Sequence, residues 1–207
     1  MSAALSRTLT LDQLRAQLQS PRVQPGRLPC GHDALDAWLG GWPLPGVVEL
    51  VGAPGSGRLA PILPVLERLS RALRPVVVVD PLQQFHPPGV PGIDLRALLL
   101  VRPAPEQAVW AAEQVARSGA VEVVLLLDSP LLSRGAGLRL VRAAEAGHNT
   151  TFVVGRETEP DLPASIRLVS EGWAGPALQL RCTRGVARDG LRSIPFGAQV
   201  VGFRARG

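Results

Sequence analysis

The chain's 207 residues, 46% of them hydrophobic and 19% charged, have the balance of one folded domain and exclude a disordered or fibrous polymer. No apolar run approaches the ~20 residues that span a bilayer, and the first residues lack the charged start and apolar centre of a secretory signal. Only Cys30 and Cys182 occur, too few for a disulfide framework, so a reducing cytoplasm is the expected setting; all 22 basic residues are Arg, and the net charge of +5 permits an anionic partner without requiring one.

Residues 11–19 read as a short helix: Thr10 and Gln13 have capping-box spacing, and Leu9 with Leu14 can form the hydrophobic staple. Leu11, Leu14 and Leu18 share one face of it and need a surface to lean on, either on this chain or on a partner. The Pro- and Gly-rich stretch SPRVQPGRLPCG then reads as a linker, which divides the chain into an appendage, 1–27, and a main domain, 28–207. In that domain strands and helices alternate. Residues 47–51 form a short apolar strand, 59–73 a helix whose Pro61 and Pro64 suit only its first turn, and VVVVD at 76–80 a fully buried strand. A strand at 98–101, a helix at 106–118 ended by Gly119, a strong strand at 121–128, a helix at 138–146 and a strand at 150–155 follow. Beyond residue 160 only strands are expected, at 165–170, 177–182 and 198–204, with turns at EGWAGP and VARDG. The expected fold is an α/β domain with a mostly parallel twisted sheet, helices on both faces and an antiparallel C-terminal extension.

One motif carries chemistry. GAPGSGRL, 52–59, follows a strand, opens a helix and keeps Gly52, Gly55 and Gly57 in the register of a phosphate-cradling loop. Two parts of the template G-x-x-x-x-G-K-[ST] are missing. Arg58 stands where a compact Lys ammonium would reach phosphate, and a planar guanidinium is not its equivalent in a tight loop. Leu59 stands where a hydroxyl would hold Mg²⁺ and cannot ligate a hard cation. Asp128, ending the apolar strand VEVVLLLD, has the form of the second metal-holding element, or it caps the turn that follows. With the other metal ligand gone, Arg58 and Asp128 are expected to approach within about 6 Å and neutralise each other.

Several segments in order carry a resemblance. CGHDALDAWLGGWPLPGVVELVG, 30–52, resembles the segment before the phosphate loop of RecA recombinases, and ARSGAVEVVLLLDS, 116–129, resembles the helix and strand that bear their Mg²⁺-holding aspartate. ASIRLV and QLRCTRG are similar to late RecA strands, so the resemblance runs over roughly residues 30–185 and implies a RecA-like core. The departures are equally specific. The resemblance implies a catalytic Glu two residues after Asp80, where this chain has Leu82, leaving no base to orient water. RETEPDLPA is too short for the large DNA-binding loop, the nucleotide-sensing Gln is replaced near Gly155 and Arg156, and Lys residues that reach a neighbour's nucleotide are matched loosely by Arg181 and Arg184.

A short RecA-like chain eroded in this way resembles the ImuA family. That resemblance implies a cytoplasmic, non-catalytic accessory protein of SOS-induced error-prone translesion DNA synthesis. It implies no cofactor, ATP binding absent or weak, contact with RecA and with the Y-family-like ImuB, and an indirect link to an alternative replicative-type polymerase. Candidate partner-binding residues are Leu11, Leu14 and Leu18, Trp38 and Trp42 around LGG, and the C-terminal Arg181, Arg184, Arg188 and Arg192. Those arginines read either as a solvated edge or as a basic stripe for DNA phosphates or an acidic partner. Trp38 and Trp42 are otherwise core anchors, and Trp173, read in a hairpin-like turn, is a recognition residue if exposed. Three His and two Cys, widely scattered, give no zinc pattern, and no nucleophilic triad is suggested; Ser129 and Ser133 read as turn and cap residues. Two other readings stay open: a weak ATPase using Gly52–Arg58 and Asp128, and a SulA-type inhibitor of cell division.

Overall fold

The Val- and Leu-rich segments meet as neighbours at the centre of one sheet. The structure, a computed structural model, describes residues 26–90, 92–128, 132–185 and 190–196. Eight strands form the sheet: β3 (Gly46–Val51), β4 (Val76–Val79), β5 (Leu98–Val101), β6 (Val123–Leu127), β7 (Thr150–Gly155), β8 (Ile166–Ala174), β9 (Ala177–Arg184) and β10 (Gly190–Pro195), in the order β10-β9-β8-β3-β7-β6-β4-β5. From β8 to β5 every pairing is parallel, while β8–β9 and β9–β10 are antiparallel. A parallel strand needs cover on both faces, which is why β4 and β6 read as unbroken apolar runs and why they and β3, apolar but for Glu49, are fully buried. Two shorter strands, β1 (Gly26–Leu28) and β2 (Trp42–Leu44), pair antiparallel with each other beside this sheet.

Helices cover the two faces unequally. α1 (Asp33–Leu39) and α2 (Leu63–Arg71) bury Leu35, Leu39, Val65, Leu66 and Leu69 in a core shared with Val48, Leu50, Val76, Val78 and Phe152. α3 (Ala108–Arg117) and α4 (Arg134–Gly147) bury mainly Ala and Leu against Val47, Val77, Val79, Leu126 and Val153. Small residues let α3 and α4 close on each other. A Cβ on Gly147 would overlap the Ala116 carbonyl, and Asn149 donates to that same carbonyl at 2.5 Å. No helix among the described residues is long and apolar enough to cross a membrane.

Several boundaries differ from the sequence reading. Gly26–Leu28 is a strand that runs across the expected boundary at 27/28; residues 1–25, with helix 11–19 and Leu11, Leu14 and Leu18, lie outside the described residues. CGHDALDAWL, for which no helix was expected, contains α1, ended by Gly40 in the left-handed conformation. The helix expected over 59–73 divides into a 3₁₀ turn at Ala60–Ile62 and α2, since Pro61 and Pro64 each fit only a helix start. α4 begins at Arg134, not residue 138, because the Ser133 hydroxyl accepts from the Ala136 N–H and caps it. β8 continues through Glu171, Gly172 and Trp173, so EGWAGP is mostly strand. β10 was not foreseen; it forms because the open edge of β9 supplies hydrogen bonds that GLRSIP lacks alone. The strand expected at 198–204 lies outside the described residues.

A buried ionic network holds β3 to β8. Glu49, 1% exposed, accepts from the Arg167 Nε and, at 2.5 Å, from the Glu159 backbone N–H. Arg167 also donates to the Glu159 carbonyl at 2.8 Å, and the Glu159 carboxylate accepts from the Leu132 N–H at 3.0 Å. The connection between β7 and β8 is thereby tied to the sheet. Burial, and secondarily the nearby Glu49 carboxylate, push the Glu159 carboxyl above its ordinary range, against the Leu132 hydrogen bond and Arg167. A carboxyl raised in the folded state favours folding at low pH and loses that contribution as pH rises through its folded value. E159Q keeps the oxygen acceptor and removes the charge. It is expected to match the parent near pH 4 and to gain relative stability as pH rises, in thermal melts taken across that range; a pH-independent difference would contradict this account.

Candidate functional site

The carboxyl ends of β3, β7 and β6 converge, as a parallel sheet requires of strands that share a direction. Gly52 follows β3 and donates to the Gly155 carbonyl at 3.1 Å, and Asp128 follows β6 and donates to the Val154 carbonyl at 2.8 Å. β7 therefore lies between the glycine loop and the aspartate. Asp128 has φ +40°, a left-handed conformation that Asp tolerates better than most residues. In the loop Gly55 and Gly57 have φ +80° and +87°, and the Ser56 N–H closes a turn on the Ala53 carbonyl at 3.0 Å.

Arg58 folds back over this loop. Its Nη1 donates to the Gly52 carbonyl at 3.1 Å and its Nη2 to the Asp128 carboxylate at 2.5 Å, so the approach expected from the sequence is present. Both side chains are only 9% exposed. The long side chain is what bridges the intervening strand. Leu59 turns into the apolar core beside α2 and offers no oxygen to the site. Asp80, at the end of β4, is buried and spends both carboxylate oxygens on backbone, accepting from the Gln84 N–H at 3.0 Å and the Phe85 N–H at 2.9 Å. Leu82, which stands where a water-orienting Glu was sought, is 45% exposed.

A third part of the site was missed in the sequence. The β8–β9 hairpin bends over the glycine loop, where the Ser170 hydroxyl donates to the Ser56 carbonyl at 2.6 Å. A Cβ on Gly57 would come within 2.7 Å of Leu178 and 2.8 Å of the Trp173 indole nitrogen, so only glycine fits beneath that hairpin. A signal existed: Ser170 occupies an inward position, two and four residues after buried Leu168 and Ile166, where a polar group needs a partner. Loops of this register hold a magnesium–triphosphate. The guanidinium is committed to Gly52 and Asp128, the hydroxyl ligand is replaced by Leu59, and Trp173 and Leu178 press on the loop. The residues present fit that group poorly.

The remaining candidates divide by burial. Trp42 is fully buried and stacks edge-to-face on Phe152, with centroids 5.2 Å apart, so it is a core anchor and not a partner contact. That geometry contributes about 0.5–1.5 kcal/mol beyond burial. Trp38 is half-buried against the same core. Trp173 also leaves the role of an exposed recognition residue: it is half-buried and packs on Phe196 at 6.1 Å. Arg181 pairs with Glu171 at 2.7 Å, Arg184 donates to the Leu162 carbonyl, and both are exposed, as is Arg192; Arg188 lies outside the described residues. Among the described residues no group of three His, Cys, Asp or Glu can hold a metal ion. Burial pushes the Cys30 thiol far up, which removes it as a nucleophile.

No family model matches the chain. The chain is similar to RecA proteins. Protein RecA of Frankia alni is 24% identical over an alignment of 248 residues that covers 100% of this chain and 70% of that protein. Protein RecA of Nocardioides sp. is 32% identical over 120 residues, 56% of this chain and 32% of that protein. Protein RecA of Gluconobacter oxydans is 34% identical over 116 residues, 54% of this chain and 33% of that protein. The higher identities thus rest on about half of this chain and a third of the relatives' length. Together with the mostly parallel sheet and its antiparallel C-terminal strands, these distant similarities support placing the chain in the RecA superfamily.

Proposed function

We propose that the chain is a non-catalytic accessory protein on a RecA-like scaffold. In this reading it acts in the cytoplasm in SOS-induced error-prone translesion DNA synthesis, in the manner its resemblance to ImuA implies. The observation that carries the reading is the Arg58–Asp128 pair beside Leu59: the groups that would meet a nucleotide and its metal are spent on each other or turned into the core. What is left to work is the outer surface. A look-alike of a RecA subunit with one competent face can dock at the end of a filament or between subunits, and without nucleotide chemistry it would stop growth there. The expected partners are RecA and an ImuB-type protein, which links it indirectly to the alternative polymerase.

Two features favour docking. At one end of the sheet β5 has, among the described residues, a hydrogen-bonded neighbour on one side only, and its sequence is LLLV with Leu99 55% exposed. An open apolar edge strand is a pairing surface unless something covers it. Nearby in the chain Leu95 is 54% exposed, and Trp110 on α3 stands 61% exposed, an aromatic anchor without a core.

Titration calorimetry with ATP and Mg²⁺ is expected to show no binding at millimolar concentration, with R58K/L59T, which rebuilds the template, gaining some; tight, metal-dependent binding by the parent would restore the ATPase reading. Added to RecA at ratios up to equality, the chain is expected to lower RecA's DNA-dependent ATPase rate and strand exchange. Removing residues 1–25 is expected to abolish that effect while the melting curve of the domain persists. Unchanged RecA activity together with no measurable complex would refute the docking reading.

A further inference from the structure

The charge of the chain is not spread evenly over its surface. In the described part of β8–β10, residues 166–185 and 190–196, four arginines (Arg167, Arg181, Arg184 and Arg192) meet one acid, Glu171. The side chains that alternate away from the core are Gln179, Arg181 and Thr183 on β9 and Leu191 and Ser193 on β10, and all but the half-buried Gln179 are exposed. At the end of β9 this face opens into a cleft of about 380 Å³ lined by Arg167, Thr183, Arg184 and Gly185.

The two guanidiniums of that cleft are prepared differently. Arg167 is locked in place by Glu49 and the Glu159 carbonyl, so it is already ordered, and its charge is compensated. Arg184 has only the Leu162 carbonyl at 3.4 Å and no carboxylate within ion-pair distance among the described residues. Thr183 adds a hydroxyl, and Gly185, with φ +126°, turns the chain against Ser165 and Ile166, where a Cβ would stand 3.3 Å from each. An uncompensated guanidinium and a hydroxyl in a concave place are groups that recognise a phosphate oxyanion.

We propose that this cleft is a phosphate subsite for the backbone of a nucleic acid, with Arg184 and Thr183 as its ligand groups. One basic side chain continues past the cleft on this face: Arg181, three residues back on β9 and about 10 Å away by strand rise, where it is shared with Glu171; Arg192, in register with Leu180, lies on the other face. That extension favours a polymer over a free anion. Trp173 and Phe196 turn inward, so no aromatic platform for bases is offered on this face among the described residues, and binding is expected to be independent of sequence. The inference concerns the isolated chain and does not depend on docking to RecA.

The test is fluorescence anisotropy of the full chain with a labelled oligothymidine and with a duplex of the same length, between about 50 and 200 mM salt. The association constant is expected to fall linearly with salt on logarithmic axes for both. R184A is expected to reduce that slope by about 0.7 on the single strand and 0.9 on the duplex. T183V should weaken binding without changing the slope. R142A, which removes the same charge from an exposed position on α4, is expected to keep the parent slope, and unchanged melting curves would show that all variants fold. Equal effects of R184A and R142A, absence of binding at the lowest salt, or binding of inorganic pyrophosphate without the oligonucleotides would each overturn the proposal.

Discussion

The guanidinium of Arg58, held between the Gly52 carbonyl and the Asp128 carboxylate, is the interaction on which the reading of this protein turns. It joins the loop after β3 to the end of β6 across the whole width of β7. Two charges that are 9% exposed have lost most of their hydration, and only close contact and added hydrogen bonds offset that cost. Separating them strands a charge in a place with little water, which a buried pair resists more strongly than an exposed one. A strand–loop–helix unit of the RecA kind is therefore closed from within, by a side chain in the position where a shorter cation would face outward to phosphate.

The rest of the site follows from sheet order. Because β8 lies directly beside β3, the antiparallel hairpin that continues it rises over the glycine loop and lays Ser170, Trp173 and Leu178 against it. The same adjacency puts Arg167 in register with Glu49 and fixes the short β7–β8 connection to the sheet. β3 is thus held by one ionic contact within its length and another just past its end. The carboxyl edge of the sheet, where α/β proteins place their ligands, carries the Arg58–Asp128 pair and the Ser170 contact of the β8–β9 hairpin. Among the described residues the two ends of the sheet differ in character, with the apolar strand β5 at one end and the basic strands β8–β10 at the other.

Much of this could be read along the chain. Unbroken runs such as VVVV and VVLLL announce strands covered on both faces, and their alternation with helical segments fixes an α/β class. Asp128 could be paired with Arg58 because a strand-ending acid and a loop cation of this kind belong to one constellation. Glu49 was legible in principle, since a lone acid inside GVVELV must find a partner, but nothing local names Arg167 as that partner. The two tryptophans around LGG have the same chemistry in sequence; only packing separates fully buried Trp42 from half-buried Trp38.

By itself, then, the sequence determined the periodicities, the class of fold, and the loss of the lysine and the hydroxyl from the glycine loop, because those are properties of residues within a few positions of one another. Tertiary structure alone decided that β10 forms on the edge of β9, that Trp173 covers Gly57, that Glu49 meets Arg167, and that β5 ends the described sheet. Each of these depends on which strands become neighbours. Strand order is settled by contacts between residues as far as 118 positions apart, and local pattern carries no record of them.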